Sequence, residues 1–186
     1  MWRRRGHAGQ HSPRSPGPQA QLHAGDGGNG RAGPGSVTSR KRVLAIASGG
    51  GHFVQLLRLA PAWEDHDVTY ATVHAGSAID VAPSPLLTFR DVSRADLWRL
   101  PLALWDVARI LLRVRPHVII TTGALPPLLA LTLARPFGVK TLWVDSIANS
   151  ERLSDSGRHA GKVAGTVVTQ WPQLADGHVE HWGSVL

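Results

Sequence analysis

The stretch Ser48-Gly49-Gly50-Gly51-His52 follows the apolar run Val43–Ala47 and opens a helical pattern. Glycine loses more backbone entropy on folding than any other residue, so three together imply that something must approach the backbone. A glycine turn between a strand and a helix presents unpaired N–H groups, which suits a phosphate. His52, at the start of that helix, has two roles open to it: a general base or phosphate contact, or a capping and packing side chain. The stretch is not the dinucleotide fingerprint, because Val54 stands where its last glycine belongs, and no Gly-Lys-Ser/Thr follows as in a P-loop. Two further segments follow apolar runs in the same way: Thr121-Thr122-Gly123, and Asp145-Ser146 with Asn149. Asp145 could orient a sugar hydroxyl or act as a base; equally, it could be an N-cap or loop carboxylate. The remaining histidines of the folded part, among them His66, His74, His117, His178 and His181, show no metal-ligand spacing. No metal and no cofactor are expected.

These residues need elements to position them. Val43–Ala47, Asp67–Val73, Leu86–Phe89, His117–Gly123, Thr141–Val144 and Thr166–Gln170 read as strands. The intervening patterns read as helices: one from His52 to about Pro61, a long one from about Ala95 to Val114, and one bounded by prolines after Gly123. Alternating strands and helices predict an α/β fold, a single Rossmann-like domain with a mainly parallel sheet. In such a sheet ligands bind at the carboxyl ends of the strands, where all three segments lie. Residues 116–134 contain no Asp, Glu, Lys or Arg. Pro126 and Pro127 and the β-branched run before Gly123 nevertheless make this a strand, a turn and a short helix rather than a membrane span.

The charge is unevenly placed. Residues 1–42 hold eight basic residues against the single acid Asp26, which accounts for the formal net charge of +7. Residues 43–186 are balanced, so a nucleic-acid partner is not expected. Residues 1–40, rich in Gly, Pro and Arg, cannot bury enough apolar surface to offset ordering and are expected to form a disordered basic arm before a domain spanning 41–186. The arm lacks the apolar core of a signal peptide. It is either an electrostatic attachment to anionic lipid or an incidental extension. Cysteine is absent, which excludes disulfides and thiolate chemistry. The segment Leu97–Arg115 has a wider apolar surface than packing on one sheet requires. Trp98 and Trp105 lie on the surplus, which faces either a membrane surface or a neighbouring helix.

Four segments taken in order resemble a known family: SGGGHFVQLLRL, VIITTGALPPLLAL, the run from LWVDSIANS to VVTQWPQL, and HWGSVL. The family is the membrane-anchor, acceptor-side subunit of the split N-acetylglucosaminyltransferase of asparagine-linked glycan synthesis, and its bacterial capsule and exopolysaccharide members look closer still. The resemblance covers most of residues 42–186. Asp145 stands where the family commonly has Glu, and Asn149 where a basic residue is frequent.

The resemblance implies the N-terminal half of a GT-B glycosyltransferase, facing a polyprenyl-diphosphate-linked acceptor. A separate GT-B C-terminal-type subunit would bind the UDP-sugar, since about 145 folded residues are too few for two such domains. It further implies that His52 and Asp145 lie near the acceptor hydroxyl. Ser48, Gly49, Gly50, Gly51, Thr122, Gly123, Ser146 and Asn149 would surround the acceptor or its phosphates. Trp182, Gly183, Val185 and Leu186 would lie against the partner, and the protein would sit peripherally at the cytoplasmic face of a membrane. A non-catalytic adaptor that recruits and stabilises the partner fits the same resemblance.

Overall fold

The computed structural model describes residues 39–92 and 94–185, the side chains of residues 94 and 95 excepted. Nearly all of the expected arm, and Leu186, lie outside the described residues. Seven parallel strands form one sheet in the order β3-β2-β1-β4-β5-β6-β7. They are β1 (Arg42–Ile46), β2 (Asp67–Thr72), β3 (Leu86–Thr88), β4 (Val118–Thr121), β5 (Lys140–Val144), β6 (Thr166–Thr169) and β7 (Glu180–His181). The helices are α1 (Gly51–Arg58), α2 (Ala78–Val81), α3 (Leu100–Val114), α4 (Leu125–Ala134) and α5 (Asp155–Ala160). The chain runs outward from β1 to β3 and then returns to start β4 on the other side of β1. Strand order therefore reverses between β1 and β4, the place where doubly wound sheets open a crevice.

Alternation along the strands divides the core. Leu44, Ile46, Ile119, Trp143 and Val167 face one side with Val107, Ile110, Ala130, Leu131 and Ala160 of α3, α4 and α5. Val43, Ala45 and Ile120 face the other, covered by Phe53 and Leu56 of α1 and by Trp63. Parallel sheets are ordinarily covered on both faces. On the second face, beyond α1, Val118, Ile120, Leu142, Val144 and Val168 line a groove of about 420 Å³, bounded by Leu59, Trp63 and segment 182–185; Ile120, Val144 and Val168 are buried at its floor.

Two expected helices are shorter than their patterns. The first ends at Arg58, and Pro61 falls in a separate 3-10 turn, Ala60–Trp63. The long one breaks because Asp96 leaves helical geometry (φ −112°, ψ 30°) and Pro101 sits in the first turn of α3, where a missing N–H does no harm. Pro126 occupies the same kind of position in α4. No described helix is long and apolar enough to cross a membrane.

Helix α3 buries Ala103, Val107 and Ile110 and leaves a second apolar stripe in the open. Trp98, Leu102, Trp105 and Leu112 are 74%, 46%, 64% and 74% exposed, at spacings of a helical face that also carries the exposed Arg109. Of the two readings of this helix, burial of the surplus face against neighbours is thus corrected to exposure. The contrast can be measured by chemical denaturation. Leu131→Ala, at a fully buried site, should cost about 3 kcal/mol of stability, whereas Leu112→Ala should change it by less than about 0.5 kcal/mol.

Candidate acceptor site at the β1–β4 crevice

The loop after β1 and the loop after β4 are joined across the crevice by a reciprocal pair. Thr122 Oγ1 donates to the His52 carbonyl at 2.6 Å, and His52 Nδ1 lies 2.9 Å from the Thr122 carbonyl oxygen. That oxygen can only accept, so Nδ1 carries the proton and a neutral ring keeps its lone pair on Nε2. The imidazole rests on Gly123: a Cβ there would lie 2.6 Å from ring atoms Cε1 and Nδ1, and φ of +137° is itself foreign to other residues. Ala124 follows at φ 80°, ψ 164°, a strained geometry for a residue with a side chain. Strain of this kind gathers at functional sites.

The three glycines have separate reasons. A Cβ on Gly49 would sit 2.5 Å from Nε2 of His74, whose exposed ring covers that glycine from the end of β2. Gly50 caps α1 at φ +63°, with no side-chain capping bond, and Gly51 is sterically unconstrained. The space around the Cβ positions of Gly50 and Gly51 is open, and within the first turn the Phe53 and Val54 amides both donate to the Gly50 carbonyl at 3.1 Å. The N-terminus of α4 is a poorer donor, because Pro126 and Pro127 have no N–H. Ser48 is buried beneath the loop, its carbonyl accepting Thr72 Oγ1 at 3.2 Å.

Asp145 belongs to the same edge but does not face the crevice. Its carboxylate is 1% exposed. Oδ1 accepts from Trp143 Nε1 at 3.1 Å and Ser154 Oγ at 2.6 Å. Oδ2 accepts from the Ser154 amide at 2.9 Å and Asn149 Nδ2 at 3.2 Å. These donors fill the carboxylate's acceptor sites, and of the two roles open to Asp145 the geometry matches the loop carboxylate. Ser154 in turn caps α5 through the Gly157 amide at 2.8 Å, and a Cβ on Gly157 would meet Asp145 Oδ1 at 2.6 Å. Ser146 and Asn149 are also spent on the loop: Ser146 Oγ accepts the Ala148 amide at 3.3 Å, and its carbonyl accepts the Asn149 amide at 3.0 Å.

Two glutamines that the sequence reading missed hold these loops to the domain. Gln55 of α1 donates to the Asp145 carbonyl at 3.1 Å and accepts the Ile147 amide at 3.3 Å. Gln170 donates to that same carbonyl at 3.1 Å and accepts the Val185 amide at 2.9 Å. Segment 182–185 is further held by Arg58, which donates to the Val185 carbonyl at 3.1 Å, while Trp182 remains 63% exposed and Gly183 takes φ +113°. Ahead of β7, the amides of His178 and Val179 hold the Asp176 carboxyl below its ordinary range and fix the turn that delivers Trp182. Among the described residues no cluster of His, Asp and Glu could hold a metal ion.

No protein-family model matches the chain. The UDP-N-acetylglucosamine transferase subunit ALG14 of Eremothecium gossypii is 30% identical over 178 residues, covering 78% of this chain and 79% of the relative. The chain belongs to the ALG14 family. Among solved structures, Acinetobacter baumannii MurG superposes with a TM-score of 0.62 at 14% identity, over 76% of this chain and 44% of MurG. A glycosyltransferase from Rickettsia africae gives 0.55 at 11% identity, over 78% and 43%. The UDP-GlcNAc 2-epimerase of Neisseria meningitidis gives 0.53 at 9% identity, over 75% and 45%. The chain thus spans less than half the length of these proteins. At such identities they establish the Rossmann-like fold expected for one GT-B half. Within the ALG14 family fold, the His52–Thr122 pair bridges the point where strand order reverses.

The role assigned to Asp145 has a direct test. Asp145→Asn turns one acceptor atom into a donor facing other donors, so stability should fall by about 2–3 kcal/mol in denaturant titration. An unchanged midpoint would return Asp145 to the list of groups free to act on a substrate.

Proposed function

We propose that this ALG14-family chain is the acceptor-binding subunit of a two-subunit glycosyltransferase, moving a sugar from a UDP-sugar to a polyprenyl-diphosphate-linked glycan. The observation that carries the reading is His52, tethered by Nδ1 where strand order reverses between β1 and β4, beside the open space at Gly50 and Gly51. In the proposed step the acceptor hydroxyl oxygen bonds to the anomeric carbon of the donor sugar, and the bond from that carbon to the UDP oxygen breaks. The hydroxyl proton passes to Nε2 of His52, and the electron pair leaves on UDP. Loop 48–52 receives the acceptor's diphosphate through its amides, with Thr122 and Gly123 fixing the ring. Asp145, Ser146 and Asn149 shape the neighbouring wall.

The donor site and the neutralisation of departing UDP fall to a second, GT-B C-terminal-type subunit. In support, the ALG14 relative is itself described as a transferase subunit, and the apolar groove beside Trp182, Gly183 and Val185 offers a seat for such a partner. We take the attachment to be peripheral and at the cytoplasmic face; the exposed stripe of Trp98, Leu102 and Trp105, with Arg99, Arg109 and Arg113 around it, supports contact with a membrane surface. The basic residues of the 1–40 arm would add about 1 kcal/mol each beside anionic lipid. Because Asp145 is turned inward, the distinction between this reading and a non-catalytic adaptor rests on His52 alone.

Two experiments separate these readings. With the second subunit present, His52→Ala should lower kcat by about 10² at little cost in melting temperature; full turnover would favour the adaptor. Replacing Trp98 and Trp105 together with Glu should abolish flotation on vesicles containing anionic phospholipid, with circular dichroism unchanged. Undiminished flotation of that variant would place the attachment elsewhere.

A further inference from the structure

We infer that Gln170 is a positioning residue that ties the geometry of loop 145–149 to the seating of segment 182–185. Its side chain is 4% exposed, and its carboxamide is engaged at both ends. Nε2 donates to the Asp145 carbonyl at 3.1 Å, and Oε1 accepts from the Val185 amide at 2.9 Å. The carboxamide is planar, so a rotation that follows Val185 withdraws the donor from Asp145. The Asp145 end of loop 145–149 is held by its carboxylate partners, while beyond it the anchors to the rest of the domain are Gln55, which shares the same carbonyl and accepts the Ile147 amide, and Trp171 Nε1, which donates to the Ile147 carbonyl at 2.8 Å. Gln170 therefore borders two places at once. One is loop 145–149 at the carboxyl edge of the sheet, proposed above as the wall beside the acceptor; the other is the sheet-face groove, which Gln170 lines together with residues 182–185.

A protein surface entering that groove must press on 182–185, and Gln170 carries the displacement to Asp145 and Ile147. Resting on the two-subunit reading for its purpose, this coupling makes the acceptor wall sensitive to assembly. The transferase would reach its working geometry only when both halves are together. Coupling requires an element that both sites bias, and the shared carboxamide is that element.

The test is amide hydrogen exchange on the full chain alone, so it does not depend on the partner or on turnover. Val185→Pro removes the N–H that Gln170 accepts. Gln170→Glu keeps that acceptor but removes the N–H given to Asp145. Each variant should speed exchange at Ile147, Ala148 and Asn149 about fivefold or more, the weight of one ordinary hydrogen bond. Core amides such as those of Ile119 and Leu142 should keep their rates, and the double variant should exchange no faster than either single one. If Gln170→Glu fails to fold, Val185→Pro, at a half-buried site outside the core, carries the test by itself. Wild-type exchange in the loop of Val185→Pro, or acceleration spread evenly over the core, overturns the coupling. Either result leaves the His52 reading untouched, and a neutral His52→Ala leaves the coupling untouched.

Discussion

A carboxylate buried at 1% exposure is the constraint on which the carboxyl edge of this sheet depends. Removing an ion of that size from water costs several kcal/mol unless its lone pairs are met. Asp145 meets that demand with Trp143 from β5, Asn149 from its own loop, and both the amide and the hydroxyl of Ser154 at the start of α5. Its carbonyl then gathers Gln55 from α1 and Gln170 from the end of β6. Each of these elements is fixed relative to the others because each supplies a donor that the group cannot lose cheaply. The group that looked like chemistry in the sequence is thereby the framework of the chemistry.

That framework fixes α1, and α1 fixes His52. Gln55 lies one turn beyond His52 on the same helix, so anchoring the glutamine to the β5 loop orients the histidine over the β4 loop. Gly123, the strained Ala124 and the proline pair in the first turn of α4 complete a rigid seat. Under the proposed role of His52, rigidity at this point has a physical use, since a base contributes only when held within hydrogen-bond reach of its proton. The asymmetry of the sheet has a second consequence. Helices α3, α4 and α5 cover one face, whereas α1 covers only part of the other, leaving apolar strand residues in an open groove. That groove, with the exposed Trp182 at its rim, is suited to a partner surface.

The strands were legible because buried parallel strands are short β-branched runs, and because the glycine and proline punctuation between them is strong. The seat of His52 was legible in outline, since three glycines after a strand leave few other meanings. Helix α5 was not, because six residues stabilised by one serine cap carry too little periodicity to read. Pro101 stands in the first turn of α3, in the middle of an apolar pattern that runs unbroken on both sides, so the pattern alone carries the helix too far upstream. Gln55 and Gln170 escaped notice for a deeper reason. Their partners lie 90 and 25 residues away in the chain, and a glutamine in a helical or strand-end pattern is ordinarily solvated. The role of Asp145 was open for the same cause: a strand-end carboxylate can face substrate or protein, and only the positions of Ser154 and Asn149 decide.

The central claim is that the crevice between β1 and β4 receives the acceptor's diphosphate beside His52. Backbone and imidazole resonances, followed by nuclear magnetic resonance while the full chain is titrated with a short-chain polyprenyl diphosphate, address it most directly. The account predicts that the amides of Gly50, Gly51 and His52, the amide of Gly123 and the His52 ring shift together along one saturating curve. Shifts confined to other regions, or none at concentrations that saturate a phosphate site, would contradict it.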